Sequence, residues 1–351
     1  MEFGILFTSH PNHITEPYPH REVHARVTAE IQEADALGYD TAWVAEHHFS
    51  NQYGIMPDVF TYLGYLAAKT ARIRLGTAVV TVPLYDPVRL VENMAFVDIL
   101  SGGRMVLGLG SGYRPYEFDG FGRDFAARRD VQEEAIELIL QLVHKRRATH
   151  TGTHFRARIE GECEIFPVSQ QTPHPPLFMA AGSERSMTYA ARHGFGLMLS
   201  TLPSFATLAE QIAVYRRYCL EAPAPLSHNP ACGQVDVARW VYVAATDAEA
   251  KRDSAEGIIR HLTHFLGGAT AGYLGNVSEK DRNMKLDYDE LAETTLLHGG
   301  PETVRRRLRE LQTQTGLTSL LLHYPPYYGH EKAMRSLRLF AEHVMPEFRQ
   351  A

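Results

Sequence analysis

The chain has 351 residues, 44% hydrophobic and 22% charged, which excludes disordered, collagen-like and coiled-coil readings and predicts a packed core. Lys and Arg number 35 against 41 Asp and Glu, a formal net charge of -6 with no basic cluster at either end, which argues against nucleic acid as a partner. Cys163, Cys219 and Cys232 lie far apart, the N-terminus runs straight into an apolar strand, and no apolar run approaches the ~20 residues of a membrane span, so a reduced, cytoplasmic protein with no membrane segment is expected.

Phe3 to Thr8 has the length and apolarity of a strand, and the stripe Val23, Val27, Ile31, Ala34 and Leu37 predicts a helix over 21–38. The unit then recurs, with strands over 41–45, 73–80 and 104–109 alternating with helices over 58–70, 86–100 and 125–145. Residues 149–174 alternate polar and apolar side chains and predict an inserted hairpin. Strands follow over 176–181, 196–200, 235–245 and 317–323, with helices over 184–193, 204–220, 248–265, 301–315 and 331–344. Eight strands alternating with helices imply right-handed crossovers and a parallel sheet buried on both faces. A doubly wound sheet usually stops at five or six strands, so the pattern predicts an α/β fold of the (β/α)8 TIM-barrel type, one domain over 1–351. Residues 267–286, rich in glycine and charge, are too long for an ordinary turn and read as a mobile lid or a disordered surface loop.

In such a barrel the residues just past each strand form the site. They are Glu46-His47-His48-Phe49 after strand two, Gly110-Ser111-Gly112-Tyr113 after strand four, Gly182-Ser183-Glu184-Arg185-Ser186 after strand five, and His323, Tyr324 and Tyr327 at strand eight. Adjacent strand residues face opposite ways, so His47 and His48 cannot chelate one ion, no His-x-His pair ends a strand, and no metal is expected. Gly108-Leu109-Gly110-Ser111-Gly112 misses the dinucleotide fingerprint, because its third glycine comes one position early and it sits in the fourth unit; a glycine turn that lets backbone approach a flat ligand fits better. Ser183, Arg185 and Ser186 open a helix, where they either bind phosphate or merely cap it. His47 is either a functional strand-end residue or a buried, hydrogen-bonded one; Phe49, Tyr113, Tyr324 and Tyr327 either line an apolar pocket or pack as core and rim.

Several segments together, GYDTAWVAEHHF from Gly38, LGTAVV from Leu75, PVRLVENMAFVDILSGGR from Pro87 and LFAEHVMPEF from Leu339, resemble the bacterial luciferase-like, flavin-dependent monooxygenases. The matches keep their order along nearly the whole chain. The resemblance implies a (β/α)8 barrel with an insertion and a late mobile loop. It implies reduced FMN delivered by a separate flavin reductase, O2 activated as a flavin C4a-peroxide, a small organic substrate, and a homodimer. His47 matches the catalytic histidine, Ser183 and Ser186 match phosphate-binding positions, and Ala78-Val79 matches a non-prolyl cis peptide under the flavin ring. Glu46, Gly110, Ser111, Gly182, Glu184 and Arg185 complete the expected cofactor-binding set, with Phe49, Tyr113, Thr201, His323, Tyr324 and Tyr327 around the substrate. Departures are also visible. Gly110-Ser111 stand where bacterial luciferase has a cysteine and a phosphate-binding arginine, Gly182 replaces a glutamate, and Thr201-Leu202 replace a tryptophan, so Arg185 is expected to rebuild the phosphate site. Within the same fold, hydride transfer with the deazaflavin F420 is the alternative chemistry, and a non-catalytic flavoprotein or a supporting subunit is the alternative role.

Overall fold

The computed structural model describes residues 1–50, 53–267 and 285–349; the expected lid falls, over 268–284, outside the described residues. Eight parallel strands form a closed barrel: β1 (Glu2–Phe7), β2 (Thr41–Val44), β3 (Arg74–Thr77), β4 (Met105–Gly110), β5 (Leu177–Ala180), β6 (Gly196–Leu199), β7 (Val235–Val243) and β8 (Ser319–His323). Closure is completed where β8 pairs with β1, Leu320 beside Phe3, and where β6 pairs with β7, Met198 beside Asp236. Most strand residues are buried, as expected when one face meets the lumen and the other a ring of helices.

Side chains alternate between these two faces. Trp43, Val106, Phe178, Met198, Ala238 and Leu321 fill the lumen as one cluster, while Leu320 and Leu322 join the larger core beneath the helices. Trp43 dictates two of its neighbours: a Cβ on Gly76 would lie 2.3 Å from its ring, and one on Gly4 would lie 2.9 Å away. The indole therefore plugs the barrel floor, and the open volume is confined to the C-terminal mouth.

Differences from the sequence expectation lie mostly between the strands. The third strand breaks after Thr77, turns through a cis Ala78–Val79 peptide and resumes at Val80–Thr81 beside β4. A helix over Pro115–Gly120, absent from the prediction, precedes the one that begins at Arg128 rather than 125. A short helix over Tyr288–Thr294 and a strand over Leu297–Gly299, paired with β7, were likewise not foreseen. The interruption after the fourth unit is an antiparallel hairpin, Ala148–Thr151 against Arg156–Ile159. β2 ends at Val44, so Glu46 to Phe49 lie in irregular backbone and not at a strand end.

Candidate active site

A cavity of about 1350 Å³, its open mouth included, occupies the C-terminal end of the barrel. Of the predicted residues, Glu46, His47, Ala78, Val79, Gly110, Ser111, Tyr113, Gly182, Thr201 and His323 line it.

The wall from β2 to β4 is built around His47. Its Nδ1 lies 3.0 Å from Glu117 Oε1, and the same oxygen accepts the His48 N–H at 3.0 Å. Tyr113 Oη sits 3.4 Å from the other ring nitrogen, Nε2. Burial holds His47 below the usual imidazole range, against the hydrogen bond and charge of Glu117 that favour its protonation. A neutral ring beside an ionised Glu117 donates from Nδ1 and leaves Nε2 as acceptor, a tautomer assigned from the network. Burial raises Glu117, yet the contacts with His47, the His48 N–H and Arg114 outweigh it and its carboxyl stays below the usual range. The Arg114 guanidinium is buried over the rings of Tyr53 and Tyr113, at 4.2 and 5.0 Å.

Glu46 and His48 form a separate pair behind this wall. Glu46 accepts from His48 Nε2 at 2.8 Å and from the Tyr85 hydroxyl at 2.9 Å, so its carboxylate anchors the loop after β2 and is already engaged where cofactor contact was expected. Close packing explains the glycines of β4: a Cβ on Gly108 would lie 2.2 Å from Thr77 O, and one on Gly110 would lie 2.3 Å from Val79 Cγ2. These glycines answer to the approach of two strands around the Ala78–Val79 peptide.

A second cleft opens off the cavity, sharing Ser111 and Gly182 with it and reaching Ser183, Arg185 and Ser186. Ser183 caps the helix over Glu184–Arg192, and the Ser183 and Ser186 hydroxyls, 2.8 Å apart, satisfy each other in a reciprocal capping box. Arg185 is half-exposed and paired with Asp130 at 3.2 Å and Glu133 at 2.8 Å, so it is not a waiting cation; Glu184 is not among the residues lining the cleft. Two other lining residues, Arg129 and Gln132, come from the helix over Arg128–Lys145, and the Gln132 Nε2 is buried without a partner.

Three predicted pocket residues lie elsewhere. Phe49 has a positive φ of 62°, which turns its ring out against Phe121, and it is 63% exposed. Tyr324 follows the inward His323 and so points to the opposite face, into the core beneath the helices. Tyr327 is half-buried in the turn Pro326–Tyr328, its ring against His10 and His264. Conversely, Glu117 and Arg114 were missed; Pro115 followed by an early glutamate is a helix-start signal that could have found them. Thr201 stays at the mouth because the buried Arg239 holds its carbonyl at 2.9 Å and that of Pro203 at 2.7 Å. Among the described residues no group of three or more His, Cys, Asp or Glu is placed to hold a metal ion, and no helix is long and apolar enough to cross a membrane.

The sequence profile of the luciferase-like monooxygenases matches residues 1–319. The chain belongs to that family. It is 23% identical to the alkanal monooxygenase alpha chain of the Kryptophanaron alfredi symbiont, over all of this chain and 99% of that one. It is 36% identical to the uncharacterized protein y4vJ of Sinorhizobium fredii over 169 residues, which is 48% of this chain and 47% of y4vJ, so it spans about half of that relative. In fold it is similar to the oxygenating constituent of 3,6-diketocamphane monooxygenase of Pseudomonas putida, solved with FMN, at a TM-score of 0.80, 21% identity and 99% and 98% coverage of the two chains. It is also similar to the coenzyme F420-dependent tetrahydromethanopterin reductase of Methanopyrus kandleri, at 0.70, 20% identity and 99% coverage of each chain. A luciferase-like monooxygenase fold thus accommodates either a flavin or a deazaflavin.

Proposed function

We propose that the protein is a flavin-dependent monooxygenase that takes reduced FMN from a separate reductase and oxygenates a small organic substrate with O2. The observation that carries this reading is the adjacent pair of spaces: a cavity walled by His47, Val79 and Gly110, which shares Ser111 and Gly182 with a polar cleft at a helix start. The residues present fit FMN, since a flat ring suits the apolar cavity and a phosphate suits the cleft. Buried polar atoms without partners, Gln132 Nε2 in the cleft and Gln211 Oε1 in the cavity, are the donor and acceptor such a ligand would satisfy.

Bound reduced FMN supplies the electrons and the activation of O2. The chain contributes a proton site and a dry wall. Glu117 fixes the Nδ1–H tautomer, His47 Nε2 takes or returns a proton at the cavity face, and the Tyr113 hydroxyl orients that nitrogen. Arg129, Gln132 and the backbone N–H of Gly182 hold the phosphate, and Arg185 is secondary because Asp130 and Glu133 already engage it. A supporting, non-catalytic subunit has no use for this buried His47–Glu117–Tyr113 set.

The protein acts as a homodimer. Tyr65, Phe96, Ile99 and Leu100 are 41–53% exposed on the packed helices Val59–Ala67 and Pro87–Leu100, an apolar face suited to a second copy. Light scattering of wild type and Phe96→Glu tests this: a dimer that becomes a monomer supports it, and an unchanged mass removes it.

The cofactor is tested by anaerobic titration with reduced FMN and with reduced F420, followed by an oxygen pulse and analysis for product. Tight FMN binding with oxygen-dependent product supports the reading. Preferential binding of F420, with substrate turned over in the absence of oxygen, replaces it with hydride transfer.

A further inference from the structure

Across the cavity from the cleft, the wall formed by β7, β8 and the helix over Asp247–Gly267 has a different character. Trp240, His261 and His323 line the cavity there and are at most 3% exposed. Their rings are neighbours, with centroids 6.1 Å apart for Trp240 and His261 and 5.5 Å apart for His261 and His323. Trp240 Nε1, His261 Nδ1 and both nitrogens of His323 are buried without a hydrogen-bond partner. Four orphan polar atoms in one patch are unusual, because buried polar groups are normally paired and each unpaired one is costly.

The wall is also free of charge. Among the described residues lining the cavity there is no lysine or arginine, and its two carboxylates, Glu46 and Glu117, are engaged on the β2 side. Burial pushes His323 down to about 4, and burial together with His323 and His10 holds His261 well below the ordinary imidazole range. Each ring therefore offers one N–H and one lone pair at neutral pH, and Trp240 offers an N–H alone. A carboxylate or ammonium ion would lose its hydration here without gaining a counter-charge. A hydrocarbon would leave the orphans unsatisfied.

We propose that this wall is the specificity surface for an uncharged, mainly apolar molecule with one neutral oxygen group, whose oxygen accepts hydrogen bonds from Trp240 Nε1 and from His323. Rotation of the imidazole about its soft second torsion turns a nitrogen toward the cavity without moving the backbone. The order of strands around the barrel sets β7 and β8 away from β4 and β5, where the phosphate cleft opens, so the substrate oxygen and the cofactor tail are held on different sides. This assignment rests on the oxygenase reading above and names the substrate class for it.

The test is calorimetric titration of the FMN-loaded and FMN-free protein with three probes of similar size: acetophenone, ethylbenzene and benzoate. Acetophenone is expected to bind at least about tenfold more tightly than either of the others, since a site built for a polar group rejects the analogue that lacks it. Trp240→Phe and His323→Phe should bring acetophenone down to the level of ethylbenzene while leaving ethylbenzene unchanged, and His323→Gln, which keeps a donor, should restore part of the difference. Equal binding of acetophenone and ethylbenzene, tighter binding of benzoate, or variants that keep the wild-type preference would each overturn the proposal. FMN titration of the same samples separates the two levels: normal FMN affinity without preference for acetophenone sinks only the substrate class, whereas absent FMN binding sinks the cofactor reading.

Discussion

The two walls of the cavity are made of similar residues and organised in opposite ways. Around β2 and β4, His47, Glu117 and Tyr113 meet one another at 3.0 and 3.4 Å. Around β7 and β8, Trp240, His261 and His323 touch through their rings and leave their polar atoms unpaired. A network whose polar groups are matched holds one geometry and one tautomer, which is what a proton-handling residue requires. A wall with unmatched groups is poorly satisfied until a ligand arrives, which is what a selective surface requires. The difference separates chemistry from recognition within one cavity.

Breaking the first wall should have the largest effect. His47→Ala is expected to retain the fold and FMN binding and to lower oxygenation by about 10² or more, the range of a lost general acid or base; single-turnover product yield checks it. Glu117→Gln removes the partner that sets the tautomer, and a loss of about ten- to a hundredfold is expected, with the pH–rate profile shifted and not merely scaled. Wild-type turnover in either variant would show that this wall is structural.

The cleft offers a sharper contrast. Arg129→Ala should weaken FMN about tenfold while leaving riboflavin nearly unchanged, since only FMN carries the phosphate. Arg185→Ala should change FMN affinity only a few-fold, because its guanidinium is half-exposed and already paired. Fluorescence titration of both ligands decides the order, and a larger effect at Arg185 would reverse the assignment.

An effect of a different kind, and one that reads both walls at once, is on stability in acid. His47, His261, His298 and His323 are all held below the ordinary imidazole range mainly by burial, His298 at about 3 and His323 at about 4. The unfolded chain binds protons first as pH falls through ~6.5, so their contribution is present above that value and is lost below it, by up to ~1.4 kcal/mol per pH unit for each ring. Urea unfolding between pH 7 and pH 5 should steepen accordingly, and His323→Phe should flatten the slope. An unchanged slope would mean that His323 is not neutral in the folded state.

The barrel was legible because eight apolar runs alternate with helical stripes, and His47, Ser111, Thr201 and His323 were legible because residues at or shortly past the strand ends line the mouth. Glu117 was hidden by distance: it stands 70 residues from His47 on a six-residue helix too short to show periodicity. Gln132 looked like part of an ordinary amphipathic helix, and only its burial beside a cleft distinguishes it. Phe49 was misplaced because its positive φ cannot be read from the sequence. Tyr324 was misplaced despite a legible signal, the alternation that sends the residue after His323 outward.

We propose that the cavity performs oxygenation with reduced FMN. Labelled dioxygen tests it most directly: protein loaded with reduced FMN is mixed with a panel of uncharged ketones, aldehydes and alcohols and ¹⁸O₂, and the products are weighed. One labelled oxygen atom per product molecule is expected, lost in His47→Ala while FMN stays bound. Products without label, formed equally well in the absence of oxygen, would contradict it.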